Sequence, residues 1–347
     1  MIERNENLAK LSAGYLFPEI NRRKKKVLEA NPDARIISLG IGNTTEPLTP
    51  HIVKALERAV IGMGTSEGYS GYGDEQGMTS LREKVAAVIY GSTIKPDEVF
   101  ISDGAKCDIG RLQVLFGANV RVAVQDPSYP VYVDGSVIMG ASGDFDSAAR
   151  QYAGIVYMPC TPDNGFFPDL DGLETDLIYF CSPNNPTGAV ATREQLQKLV
   201  DHARRNRQII IFDAAYSVFV SDPALPRSIF EIDGAREVAI EINSFSKSAG
   251  FTGLRLGWSV VPQELKYADG TSVNRDWNRI NTTLFNGASN IVQTGGAAVL
   301  DPEGQNEVRG LVGHYMGNAR IIKATLEKKG IASWGGVNSP YIWAAFP

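Results

Sequence analysis

A lysine and an arginine eight residues apart share a loop of small residues, Asn243-Ser-Phe-Ser-Lys-Ser-Ala-Gly-Phe-Thr-Gly-Leu-Arg-Leu-Gly-Trp258. Ser244, Ser246 and Ser248 flank Lys247, and the loop glycines let the backbone turn tightly and approach a ligand. An amine in this company suits a Schiff base to an aldehyde cofactor, with the hydroxyls and the Arg255 guanidinium on a phosphate. The alternative is an ordinary solvated charge, one among 34 Lys and Arg. The rest of the chain decides between them.

Five apolar runs with strand character each end in residues that could do chemistry. Val99–Ile101 leads into Ser102-Asp-Gly-Ala-Lys-Cys107, and Val120–Val124 into Asp126-Pro-Ser-Tyr-Pro130. Leu177–Cys181 leads into Ser182-Pro-Asn-Asn-Pro-Thr-Gly188, Ile209–Phe212 into Asp213-Ala-Ala-Tyr216, and Glu237–Ile242 into the lysine loop. Helical segments alternate with them, one carrying Leu196, Leu199 and Val200 at helical spacing. That alternation predicts an α/β fold with a mostly parallel sheet covered on both faces. Ligands of open α/β sheets bind outside the carboxyl ends of the strands, where all five sets fall.

Pyridoxal phosphate on Lys247 would use these residues in definite ways. Its ring nitrogen must stay protonated for the ring to accept electrons, and Asp213 is the carboxylate at hand. An aspartate capping the segment that follows is the plainer alternative. Asn185 and Tyr216, at neighbouring strand ends, can donate to the ring oxygen, and Tyr129 can stack on the ring. The phosphate suits the helix start at Gly104-Ala105-Lys106, completed by Ser244, Ser246 and Arg255. Neither a G-x-G-x-x-G fingerprint between an early strand and helix nor a Walker A sequence is present.

Composition narrows the class. With 347 residues, 43% hydrophobic, the chain can bury a large core, and its net charge of −5 argues against nucleic acid as partner. The basic run Arg22-Arg-Lys-Lys-Lys26 reads as a solvated helix face. Three cysteines and three histidines offer neither a disulfide framework nor a zinc site. No apolar stretch approaches membrane-spanning length and the amino terminus is too charged for a signal peptide, so the expectation is a cytoplasmic enzyme.

Other segments must hold these residues in place. Ile36–Leu39 reads as a short strand, followed by a helix from near Pro50 with Ile52, Val53, Leu56 and Val60 at helical spacing. Glu67–Gly77, rich in glycine and tyrosine, reads as a loop able to present hydroxyls to a site, even across a subunit boundary. Helices are expected over 78–90 and from about Asp301 through Arg309 to Lys328. The run from Gly335 to Pro347 contains an apolar strand that calls for a covering partner.

Ser182–Gly188, Asp213-x-x-Tyr216 and Ser244-x-Ser-Lys-x-x-Gly-x-x-Gly-x-Arg255 together resemble the class I/II aminotransferases of pyridoxal-phosphate fold type I. Within that group, Ala13–Ile20, Ser38–Gly42, Gly68–Gly77, Ser102–Asp108 and Phe285-Asn-Gly-Ala-Ser-Asn290 look like the LL-diaminopimelate aminotransferase family, and the resemblance covers essentially the whole chain. It implies a large domain over 49–299 with a mostly parallel seven-stranded sheet flanked by helices. A smaller α/β domain would be built from residues 1–48, which include an amino-terminal arm, and 300–347.

The resemblance also implies a homodimer with composite active sites. Its reaction would convert tetrahydrodipicolinate to LL-diaminopimelate with glutamate as donor, in the cytoplasm or, in a photosynthetic eukaryote, the plastid stroma. Lys247 would be the Schiff-base lysine and proton carrier, with Asp213 and Tyr216 on the ring. Ala105, Lys106, Ser244, Ser246 and Arg255 would hold the phosphate with Tyr72 of the partner subunit. Tyr15, Gly42, Lys106 and Asn185 would meet the substrate, with Glu75 and Asn286 of the partner subunit. Tyr72 falls in the substrate set as well, and the Glu75 carboxylate would select the distal ammonium.

Family members continue past the equivalent of Pro347 and bring an arginine for the substrate α-carboxylate. This sequence stops before it, so a truncated small domain and poor turnover are expected. The same cofactor residues would also serve another fold-type-I aminotransferase, a carbon–sulfur or aminocyclopropane-forming lyase, or a non-catalytic cofactor-binding protein. The Tyr15 segment and the Glu75 loop favour diaminopimelate.

Overall fold

The computed structural model describes residues 1–11, 16–40, 42–91 and 93–346. Eleven strands are described: β1 (Val99–Ser102), β2 (Val122–Asp126), β3 (Phe145–Asp146), β4 (Gln151–Tyr152), β5 (Ile155–Pro159), β6 (Leu177–Cys181), β7 (Ile209–Asp213), β8 (Ala239–Ser244), β9 (Gly257–Val260), β10 (Ser333–Gly335) and β11 (Ile342–Ala344). Seven of them form one sheet in the order β1-β9-β8-β7-β6-β2-β5. Only β9 runs against the others, pairing antiparallel with β1 and with β8. The four pairings from β8 across to β5 are all parallel.

Residues of β1, β6, β8 and β9 are buried throughout, as continuous apolar runs in a sheet covered on both faces should be. Alternate residues serve opposite faces. Ile178, Phe180, Ile210 and Phe212 join one core with Leu196, Leu199 and Val200 of the helix Arg193–Asn206. Leu177, Tyr179, Ile211 and Ile242 join a second core with Ile109, Leu112, Val137 and Trp277.

The helices in chain order are α1 (Glu6–Lys10), α2 (Leu16–Ala30), α3 (Pro50–Gly62), α4 (Thr79–Tyr90), α5 (Ala105–Phe116), α6 (Val131–Met139), α7 (Arg193–Asn206), α8 (Phe245–Ser248), α9 (Val273–Leu284), α10 (Asn290–Val299) and α11 (Pro302–Lys328). Helix α7 starts on a reciprocal capping box between Thr192 and Gln195. Among the described residues, no helix is long and apolar enough to cross a membrane.

Several expectations need correction. Ile36–Leu39 is not a strand: among the described residues no neighbour takes up its backbone groups, and Ile37 and Leu39 are 70% and 79% exposed. On α3 the buried residues are Ile52 and Ala55, whereas Val53 and Val60 point outward. Residues 235–237 form a 3-10 turn, so the strand expected from Glu237 begins at Ala239. Strand β5 carries no expectation from the sequence. The terminal strand β11 does have a partner, pairing antiparallel with β10 through Trp334 and Trp343. This hairpin joins α11 around Tyr216, where Phe219, Met316, Ala319, Tyr341 and Ile342 form a small third core.

Candidate active site

Asp213 closes β7 and is 5% exposed. Its Oδ2 accepts a hydrogen bond from the Tyr132 hydroxyl at 2.7 Å, and Oδ1 accepts the Ala215 N–H at 3.0 Å. Burial raises its carboxyl above the ordinary carboxylate range, against the opposing pull of those two donors and of Lys247. Next to it, β8 ends at Ser244, which caps the short helix α8 by accepting the Ser246 N–H at 3.1 Å.

That turn projects Lys247, whose Nζ donates to the Gly42 carbonyl at 2.5 Å and stands 5.8 Å from the Tyr216 ring centre. Burial and then the Arg255 charge lower the lysine pKa, while Asp213 raises it in part. A lysine so placed is richer in the neutral amine, the form that attacks a carbonyl or takes a proton.

An anion cradle faces the lysine. Strand β1 leads through Gly104 into α5, whose first N–H groups have no partner within the helix. Gly104 has φ +121°, and a Cβ there would lie 2.5 Å from an Arg255 terminal nitrogen, so the guanidinium rests against the start of α5. Arg255, itself at φ +64°, is held by the Ser246 hydroxyl at 3.4 Å and the Thr252 carbonyl at 3.1 Å. Beneath the cradle, fully buried Asp108 accepts the Ser102 hydroxyl at 2.6 Å and meets Arg111 at 3.2 Å. Burial pushes its carboxyl up to about 7.

A cavity of about 360 Å³ joins the two regions. Gly42, Ala105, Lys106, Tyr129 and Asn185 line it, as do Asp213, Tyr216, Ser244, Ser246, Lys247 and Arg255. The Lys106 ammonium lies 5.5 Å from the Tyr129 ring centre. Tyr15 lies outside the described residues. Tyr72, Glu75 and Asn286 do not line this cavity. They belong to two surface segments brought side by side: Asn290 donates to Ser70 and to the Gly71 carbonyl, and Gly287 abuts Asp74.

Six lining residues carried no expectation as site residues: Ile109, Tyr132, Cys181, Ala215, Thr252 and Tyr341. Tyr132 lies three residues after Tyr129, a spacing that hints at a shared helical face. Tyr341 had no local signal, although its hydroxyl is 2.8 Å from that of Tyr216. A wider groove of about 1110 Å³ lies at the opposite, amino-terminal ends of the strands, beside Leu177, Ile209 and Val238. Arg204 and Glu237 in it pair with each other at 3.1 Å.

Comparison with known proteins gives the family. Residues 34–344 match the family described as aminotransferase class I and II. The chain is 54% identical over its whole length to LL-diaminopimelate aminotransferase of Protochlamydia amoebophila (strain UWE25), covering 85% of that protein. It is 56% identical to the chloroplastic LL-diaminopimelate aminotransferase of Arabidopsis thaliana, again over its whole length and covering 75% of that protein. The solved L,L-diaminopimelate aminotransferase of Chlamydomonas reinhardtii superposes with a TM-score of 0.95 at 59% identity, over all of this chain and 85% of that one. With lysine, carboxylate and anion cradle converging in a fold shared this closely, the chain belongs to the class I and II aminotransferases and, within them, to the LL-diaminopimelate aminotransferase family.

Proposed function

We propose that the chain holds pyridoxal 5′-phosphate on Lys247 and transfers an amino group from glutamate to tetrahydrodipicolinate, giving LL-2,6-diaminopimelate and 2-oxoglutarate in lysine biosynthesis. The observation that carries this reading is the meeting of the Lys247 amine, the buried Asp213 carboxylate and the Arg255–α5 cradle in one cavity. The donor set fits each functional group of the cofactor. Lys247 supplies an amine of lowered pKa for the aldehyde, Asp213 a carboxylate for the ring nitrogen, and Asn185 with Tyr216 donors for the ring oxygen. Tyr129 supplies a ring to stack on. Ala105, Lys106, Ser244, Ser246 and Arg255, with Tyr72 of the partner subunit, take the phosphate.

When bound, the cofactor supplies an electron sink for negative charge at the substrate α-carbon. Asp213 keeps the ring nitrogen protonated. Lys247 Nζ would accept the proton from the substrate α-carbon, a task its lowered pKa favours. Gly42, Lys106, Asn185 and Tyr15 bind the substrate, with Glu75 and Asn286 of the partner subunit. The homodimer is part of the same proposal, supported by the surface position of those segments and by the exposure of Val60, Ile61, Tyr69 and Tyr72. The domain division at 48 and 299 belongs to it too. So does the compartment, cytoplasm or plastid stroma, for which the chloroplastic plant relative is the support.

The test is a visible-absorption titration of the purified protein with pyridoxal phosphate, then with LL-diaminopimelate, meso-diaminopimelate and glutamate. The expected result is a lysine-bound cofactor band that the LL isomer and glutamate bleach and the meso isomer does not. No band, or a band that none of the three changes, would refute the assignment.

A further inference from the structure

Tyr341 enters the Lys247 cavity from the β10–β11 hairpin, and none of the roles above uses it. Its hydroxyl is 2.8 Å from the Tyr216 hydroxyl, with the rings edge-on at 69° and their centres 5.0 Å apart. A side chain at Gly42 would meet the Tyr341 hydroxyl at 2.2 Å, so this phenol fills the space that glycine leaves. The Gly42 carbonyl in turn receives Lys247. Lysine, glycine and two tyrosines thus form one cluster.

The backbone of Tyr341 is fixed as firmly. Its carbonyl accepts the Gly336 N–H at 2.7 Å, and a Cβ on Gly188 (φ +71°) would stand 2.4 Å from it. The hairpin therefore seats directly on the loop that carries Asn185. The Tyr216 hydroxyl and the loop that carries Asn185 both abut this one residue.

Two phenols that share a hydrogen bond divide the roles, one donating and one accepting. Burial keeps both hydroxyls protonated near neutral pH. If Tyr216 donated to Tyr341, it would have no proton left for a cofactor. We propose that Tyr341 is a positioning residue: its hydroxyl donates to the Tyr216 oxygen, so that the Tyr216 proton points to the cofactor ring oxygen. The proposal rests on the pyridoxal-phosphate reading above. A donor on the ring oxygen draws electron density from it, so the neighbouring protonated nitrogen of the lysine-bound cofactor loses its proton at lower pH. Tyr341 strengthens that effect by polarising Tyr216.

The measurement is the pKa of the visible cofactor band in the loaded protein. Tyr341→Phe is expected to keep the band and raise its pKa by about half a unit, and Tyr216→Phe to raise it by about one to two units. The double variant should add nothing to Tyr216→Phe alone. Gly188→Ala, which displaces the Tyr341 carbonyl but keeps both hydroxyls in the chain, should move the pKa in the same direction. An unmoved or lowered pKa in both Tyr341→Phe and Gly188→Ala, with Tyr216→Phe shifted, would overturn the role of Tyr341 and leave the cofactor assignment standing. No visible band in the unaltered protein would overturn the cofactor assignment itself, and this proposal with it.

Discussion

Gly104→Ala separates the fold's interest in the phosphate cradle from the ligand's. At φ +121° and ψ 156° the residue occupies backbone space that side chains rarely adopt, which costs roughly 1–3 kcal/mol for alanine. That strain acts on the folded protein whether or not a ligand is present. The added Cβ would also stand 2.5 Å from an Arg255 terminal nitrogen, a contact relieved most cheaply by swinging the flexible arginine away from α5. A charge-assisted hydrogen bond to phosphate contributes about 1.5–3 kcal/mol, so its loss weakens cofactor binding by about 10- to 150-fold. Denaturant unfolding of the cofactor-free protein reads the first effect. Equilibrium titration with pyridoxal phosphate, and competition by inorganic phosphate, reads the second. Arg255→Lys is the matching control: it keeps the charge without the planar fork, and should lose affinity with little loss of stability. A Gly104→Ala protein that is destabilised yet binds pyridoxal phosphate as tightly as the parent would refute the cradle.

Two further predictions concern buried carboxylates. Tyr132→Phe removes the 2.7 Å donor to Asp213, so the Asp213 carboxyl rises further above its ordinary range and holds the ring-nitrogen proton less well. Steady-state kinetics should show kcat lower by about tenfold with KM little changed, whereas a change confined to KM would contradict this role. Glu241, fully buried, accepts the Tyr90 and Ser228 hydroxyls at 2.7 and 2.5 Å and the Ile229 N–H at 3.0 Å, and burial pushes its carboxyl up to about 7 from 4.5. A carboxyl raised on folding adds stability that is whole below about pH 4.5 and is lost as pH climbs through about 7. Glu241→Gln should therefore gain on the parent between pH 5 and pH 8, by up to roughly 3 kcal/mol. Denaturation at the two pH values checks it, and a difference that does not vary with pH would count against it.

The residues that sequence reasoning could find are those whose position depends on a single element. Asp213 ends a run of apolar residues, and a strand end in a parallel sheet has one direction to point, toward the ligand edge. Ser244 and Lys247 follow from β8 in the same way, and Gly104 from the junction of β1 and α5. Ile36–Leu39 failed by the same logic reversed: an apolar run makes a strand only if a neighbour accepts its hydrogen bonds, and none among the described residues does. The inward turn of Ala55 in place of Val60 is another such case, settled by the packing of α3 on α10 and not by its own periodicity.

Tyr341 is the opposite kind of residue. It stands 125 positions from the tyrosine it touches, and its place requires α11 to return the chain, the hairpin to form, and its carbonyl to fit against Gly188. No local pattern encodes three such conditions together. The same distinction applies to Tyr72, Glu75 and Asn286, which do not line the Lys247 cavity of their own chain although their motifs are plain in the sequence. A motif can reveal that a residue type is required while leaving open which copy of the fold it serves. On the two-copy reading proposed above, proximity within one chain is the wrong test for that loop. The informative comparison is between residues that a strand end aims into the cavity and residues that only a second surface can bring there.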